Sequence, residues 1–228
     1  MWSRIRRSLR HIPCRGAALA WLVALASVAA VARGDHVAVT PSRTFDFDEP
    51  KVSFSNRFPG ARLNDCVQTG PGEFQATILP ENTPINNSAW YAFQITSDVP
   101  RSITVQLTYQ SGSHRYHPKI SHDGRRWTRL DSKQCSHLEK SRQAVLRLDV
   151  GPQPLWVAAQ ELITSRELNA WSAEMARLPF VEKSLLGSSL LGQPIYKLRT
   201  TGAETRNYVF FIGRQHPPEV TGSLALMK

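Results

Sequence analysis

"AWYAFQITSDVPRSITVQLTY", residues 89–109, decides how the chain is read. In its second half Ile103, Val105, Leu107 and Tyr109 alternate with Ser102, Thr104, Gln106 and Thr108. That period of two puts one apolar face on an extended strand. The first half, residues 89–96, is equally rich in aromatic and β-branched residues. Ser97-Asp98-Val99-Pro100 between them is turn chemistry, with a proline that cannot donate to a ladder. Two strands joined by a short turn are the unit from which an antiparallel sheet is built.

Working outward, the same unit recurs. β-rich runs stand at 51–55 (KVSFS), 73–79 (EFQATIL), 144–150 (AVLRLDV) and 155–160 (LWVAAQ). Turn-forming stretches GPG, PENTP, SHDG and GPQP separate them, and Asp123-Gly124 marks a hairpin between PKIS and RRWTRL. Strands at this spacing without helical periodicity predict an N-terminal antiparallel β-sandwich over 36–160. From residue 161 the pattern changes to α/β. Thr164-Ser165-Arg166-Glu167 is a capping box, and Leu168, Trp171, Met175 and Leu178 follow at helical spacing before Pro179. Residues 181–202 read as strand, turn between Gly187 and Gly192, and strand. "NYVFFIG" (207–213) reads as a strand buried on both faces, and the residues from Glu219 onward as the opening turns of a helix. So few members cannot bury such a sheet, so 161–228 is expected to be an incomplete α/β domain, giving a two-domain α+β protein.

The first 35 residues stand apart. Arg4, Arg6, Arg7, Arg10 and Arg15 precede an apolar run from Ala17 to Ala32, and no acidic residue appears before Asp35. A basic start, an apolar centre and the small-residue triplet Ala30-Val31-Ala32 read as a signal peptide over 1–32, which predicts export to the periplasm or medium. The apolar run is short for a membrane span, so an uncleaved anchor is the second reading and a mitochondrial presequence the third. Arg6-Arg7 is an incomplete twin-arginine pattern. Cleavage after Ala32 would remove five arginines and no acids from a formal charge of +10, leaving +5. That is moderately basic and compatible with acidic substrates, but no Lys/Arg stripe is interleaved with aromatics, so nucleic acid is not an expected partner. No stable membrane span is expected once the leader is gone. Cys66 and Cys135 then remain as an even pair, a disulfide candidate in an oxidising compartment and otherwise two unrelated thiols.

The ending "FFIGRQHPPEVTGSLALMK" (210–228) carries the chemistry. His216 and Glu219 sit three apart just beyond an apolar run, and zinc accepts a neutral imidazole and a carboxylate. Spacing alone is a weak signal; a surface histidine beside a glutamate favoured by a helix N-terminus has the same pattern.

The wider context is more specific. "LLGSSLLGQPIYKLRTTG" and "NYVFFIGRQHPPEVTG" resemble the zinc carboxypeptidase family, in which a Gly-x-Ser-x-x-Gly-Arg-like turn leads into a strand and the next strand ends in His-x-x-Glu. Gln193 stands where the family often has Arg. "PENTPINNSAWYAFQI" and "HRYHPKISHDGRRWTRL" look like the N-terminal β domain of its cytosolic-carboxypeptidase-like, deglutamylase-containing branch. The resemblance implies a zinc-dependent metallocarboxypeptidase acting on peptide or protein C-termini, acidic ones among them. It makes His216 and Glu219 two of three zinc ligands. The family's second ligand histidine, substrate-binding arginine and general-base glutamate come from further along its chain, and no residue here takes those roles. The 228-residue chain is therefore expected to be a fragment without peptidase activity.

Other residues weigh less. His114, His117 and His122 gather near one hairpin and read as loop residues rather than a metal site. Trp90, Tyr91, Phe93, Trp127 and Trp156 read as packing rather than a carbohydrate platform. Asn86-Asn87-Ser88 is a formal glycosylation sequon, and Arg214 is near the His216 motif without being the carboxylate anchor. The competing class is an exported, non-enzymatic β-sandwich that binds a peptide or glycan.

Overall fold

Alternation along the strands sorts side chains into two sheets with one core between them. The computed structural model describes residues 40–228 apart from 83–85, 138–140 and 203–207, so the leader and Cys14 lie outside the described residues. In chain order the strands are β1 (Thr44–Asp48), β2 (Lys51–Ser55), β3 (Asp65–Gly70), β4 (Glu73–Ile78), β5 (Pro80–Asn82), β6 (Asn86–Ala89), β7 (Ala92–Ser97) and β8 (Arg101–Tyr109). They continue as β9 (Lys119–Ser121), β10 (Thr128–Arg129), β11 (Cys135–Ser136), β12 (Gln143–Val150) and β13 (Leu155–Ala158). One sheet has the order β1-β2-β7-β13-β9-β10, the other β11-β12-β8-β4-β3, and β5 pairs with β6 in a short arm.

The apolar faces meet. Phe54, Phe93, Ile95 and Val157 from the first sheet and Phe74, Ile78, Val105, Leu107 and Leu146 from the second are all within 1% of fully buried, in one continuous cluster. Rings cross the gap: Phe74 lies 5.0 Å from Phe54 and 5.0 Å from Phe47. On β8 the buried residues are the alternating set Ile103, Val105, Leu107 and Tyr109. Trp90, Tyr91 and Phe93 are core residues as well.

The antiparallel sandwich contains one parallel pair. β4 and β8 run the same way, Phe74 opposite Val105 and Ala76 opposite Leu107. The chain leaves β4, passes through the β5–β6 arm and through β7 of the facing sheet, and returns beside β4; a crossover of that kind sets direction parallel. The Asp123-Gly124 signal marks the β9–β10 connection, where Gly124 takes a φ of +69°. Asp123 Oδ1 accepts from the Arg125 and Arg126 backbone amides at 2.8 and 2.7 Å.

After the sandwich, helix α1 (Ser165–Met175) starts at Thr164 with the capping box complete on both sides. Strands β14 (Val181–Ser188) and β15 (Pro194–Thr200) form an antiparallel hairpin turning at Gly192, whose φ is +73°. Helix α2 (Val220–Leu226) closes the described chain and buries Val220 completely in the sandwich core. The segment Tyr208–Ile212 departs from expectation. It belongs to no strand, and its five side chains are 70–84% exposed instead of buried on both faces. Apolar content gave the strand reading, but among the described residues no neighbouring strand runs beside it to hide those faces.

Candidate functional site

The His216 motif is shaped by its prolines. Pro217 and Pro218 each fix φ, so the four residues 216–219 fold back as a tight turn. The Glu219 amide donates to the His216 carbonyl at 3.1 Å, and the His216 amide donates to Glu219 Oε2 at 3.1 Å. Pro218 and Val220 are buried beneath, which pins the turn to the body of the protein. Arg214, at a left-handed φ of 51°, leads into the turn. Its guanidinium donates to the Ile163 carbonyl and lies 5.8 Å over the Trp90 ring, while Trp90 Nε1 donates to the Gly60 carbonyl at 2.9 Å. Burial holds the Arg214 guanidinium below its ordinary value. Arg214 is thus part of the scaffold, in keeping with its reading as a neighbour of the motif.

A residue that sequence reasoning missed completes the surroundings. Glu81 Oε2 stands 3.4 Å from His216 Nδ1. Glu81 sits in the PENTP stretch, which reads only as a turn, and nothing in its spacing points across the fold. Arg62 is close by and donates to the Pro80 carbonyl at 2.7 Å. Burial lowers the Arg62 guanidinium's proton affinity, and the charge of Glu81 pulls it back up.

The donor set of the turn is right in kind for zinc and short in number. An imidazole and a carboxylate are held one turn apart by backbone hydrogen bonds, whereas a catalytic zinc takes three protein ligands and an open position. His216 and Glu219 therefore fit as two members of a three-ligand set.

The other candidates separate. Cys66 and Cys135 are both free thiols, and the disulfide between them is not made. β3 and β11 are opposite edges of the five-stranded sheet, so four inter-strand spacings of about 4.8 Å intervene, far beyond the roughly 7 Å limit for a bridge. Burial, helped by Asp65, pushes the Cys66 thiol up to about 12. His122 is exposed beside its turn, and His117 Nε2 is bonded to the Leu130 carbonyl at 2.6 Å. His114 is buried, 4% exposed, and lies against His137 rather than His122.

No protein-family model matches the chain, and none of the curated proteins is similar to it. Solved structures do match. A metallo-carboxypeptidase from Burkholderia cenocepacia superposes with a TM-score of 0.56 at 16% identity, over 68% of this chain and 41% of its own. A protein assigned as carboxypeptidase A from Shewanella denitrificans gives 0.53 at 15%, over 64% and 39%. One assigned as a carboxypeptidase from Burkholderia mallei gives 0.53 at 12%, over 67% and 40%. The chain thus shares a β-rich α+β fold with metallo-carboxypeptidases and spans about two fifths of the length of the structures it matches.

Proposed function

We propose that this chain belongs to a zinc-dependent metallocarboxypeptidase that removes C-terminal residues from peptides or proteins, acidic ends among them, after export by its N-terminal leader. The observation that carries the reading is the His216–Glu219 turn, pinned to a fold shared with metallo-carboxypeptidases. The chemistry a bound zinc supplies is activation of a water and polarisation of the scissile carbonyl. The chain's own residues hold the site: the His216 imidazole and the Glu219 carboxylate are the ligands, and the two prolines fix their separation. Glu81, beside His216 Nδ1, orients the ring and adds negative charge near the cation. Likeness to peptidases favours this reading over a non-enzymatic binding module.

The test is carried out on the protein recovered from its producing cells, whatever its length. Release of C-terminal residues from peptides ending in Glu, Lys or Phe is followed by mass spectrometry. Release is expected to stop with a zinc chelator, to return with zinc, and to be lost in His216→Ala. A native protein that releases nothing, or release that survives both chelator and substitution, refutes the proposal.

A further inference from the structure

Away from the His216 turn, at the β11 edge of the five-stranded sheet, three side chains meet that no spacing in the sequence joins. His114 comes from the loop after β8, Cys135 from β11 and His137 from the residues just after it. Their ligand-capable atoms all lie within 4.8 Å of one another, the one such group of three among the described residues. The His114 and His137 ring centroids are 4.7 Å apart.

The decisive atom is His114 Nε2. His114 is 4% exposed; its Nδ1 is hydrogen-bonded to the Tyr109 hydroxyl at 2.9 Å, and its Nε2 is buried with no hydrogen-bond partner. A buried ring nitrogen without a partner costs free energy unless something accepts or donates there. A histidine fixed through one nitrogen by a neighbouring oxygen, with the other presented to a thiol and a second imidazole, is the arrangement that orients a metal ligand. Burial, and then the neighbouring His137 and His117, drive the His114 ring down to about 4, which keeps it in the neutral form a metal needs.

We propose that His114, Cys135 and His137 form a binding site for a borderline-soft divalent metal ion of the Zn2+ class. It shares no residue with the His216–Glu219 pair and does not depend on the peptidase reading. Two imidazoles and one thiolate are ligands of that class, and hard cations such as Mg2+ and Ca2+ take oxygen ligands instead. Zinc bonds of about 2.0–2.1 Å to nitrogen and 2.3 Å to sulfur in a tetrahedron place neighbouring ligand atoms roughly 3.3–3.7 Å apart. All three ligand atoms lie within 4.8 Å of one another, so side-chain movement of about an ångström closes the group to that separation. On binding, the Cys135 S–H bond breaks, its proton goes to solvent, and the sulfur lone pair forms the metal bond; no oxidant or reductant is consumed. Three protein ligands leave a fourth tetrahedral position open to a water. The ion ties the loop after β8 to β11 at the sheet edge.

The test titrates the 228-residue protein with Co2+ under reducing conditions. One equivalent is expected to produce a thiolate-to-cobalt charge-transfer band with the visible bands of tetrahedral cobalt, and Zn2+ is expected to bleach them. Cys135→Ser removes the charge-transfer band, while Cys14→Ser and His216→Ala leave it in place. His137→Ala, at an exposed position, weakens Co2+ binding at least about 10-fold, and Tyr109→Phe keeps the band and weakens binding by about 10- to 100-fold. Absence of the band at one equivalent, its survival in Cys135→Ser, or its loss in His216→Ala overturns the proposal. Because the band reports a Cys135 ligand, its absence leaves the peptidase reading untouched. Loss of peptide release in His216→Ala with the band intact bears on that reading alone.

Discussion

Phe74→Ala is the perturbation that tests the two-sheet core most directly. Phe74 is 1% exposed on β4, and its ring touches Phe54 of the facing sheet and Phe47 of β1, each at 5.0 Å between centroids. Removing the ring forfeits its transfer free energy and leaves a cavity that neighbouring strands, tied by ladders on both sides, cannot close. Buried Phe→Ala changes cost about 3–5 kcal/mol, and lost aromatic pairing accounts for about 0.5–1.5 kcal/mol of such a value. For a chain of this size each kcal/mol moves the melting temperature by roughly 2–4 °C, so a fall of about 6–20 °C is expected. Urea denaturation of the parent, Phe74→Ala, Phe54→Ala and the double variant supplies the free energies. The two rings are in contact, so the cycle should show a coupling of roughly 0.5–3 kcal/mol. A loss below about 1 kcal/mol for Phe74→Ala, or strictly additive effects with Phe54→Ala, would refute face-to-face packing through these rings.

Other consequences are narrower. Thr164→Ala removes the α1 cap and should cost about 1 kcal/mol, read as faster amide exchange over Ser165–Met175. The same cap should weaken in acid. Burial opposes the charge on Glu167, but hydrogen bonds from the Thr164 hydroxyl and amide and from Arg166 outweigh it and bring its carboxyl down to about 2. A depressed carboxylate stabilises above its unfolded value near 4.5, and that contribution should disappear as pH falls from there to about 2, by roughly 1 kcal/mol after allowance for solvent screening. Unchanged α1 exchange across that window would contradict it. Gly124→Ala forces a Cβ to within 3.3 Å of the Trp156 ring at a φ of +69° and should destabilise by about 1–2 kcal/mol in thermal unfolding, against no loss if the turn relaxes. Finally, in the metal-free native protein at pH 8 the half-buried Cys135, raised by burial less than Cys66, should alkylate well before Cys66, which is buried with its thiol near 12; equal rates by peptide mapping would refute that ranking.

How legible the chain was depended on the range over which each signal acts. Period-two alternation is local, so β2, β4, β8, β12 and β13 could be placed within about two residues from the sequence, as could the Thr164–Glu167 capping box. β3 escaped because its alternation is interrupted by Asp65, Gln68 and Gly70 within six residues, and β1, though TFDFD alternates, is only five residues long with two acids in it. The direction of β8 against β4 was not readable at all, since it depends on the route the intervening residues take through the facing sheet. Tyr208–Ile212 shows the opposite error: five apolar residues promised a buried strand, but hydrophobicity states a demand for burial and says nothing of whether a partner is there to meet it.

The two candidate metal centres divide along the same line. His216 and Glu219 are three residues apart, so their contact is a property of one turn, and the resemblance of the stretch around them singled the pair out. His114 and Cys135 are twenty-one residues apart, and what joins them is the register of β8 against β12 and of β12 against β11. Cys135 pairs with Leu146, and Leu146 with Val105; β8 then runs on to Tyr109, and the loop beyond it returns His114 to the same edge. A loop histidine and a spare cysteine look unremarkable in sequence because the ladder that unites them is fixed by apolar residues elsewhere on those strands. It follows that a substitution altering the β11–β12 register, rather than any ligand, should separate the two centres. Val145→Pro removes a ladder amide opposite Ser136 and should abolish the Cys135-dependent cobalt band while leaving the His216 turn in place. Circular dichroism must first show that the variant keeps its sheet content. With the sheet retained, persistence of the band would mean that Cys135 is held by something other than its strand.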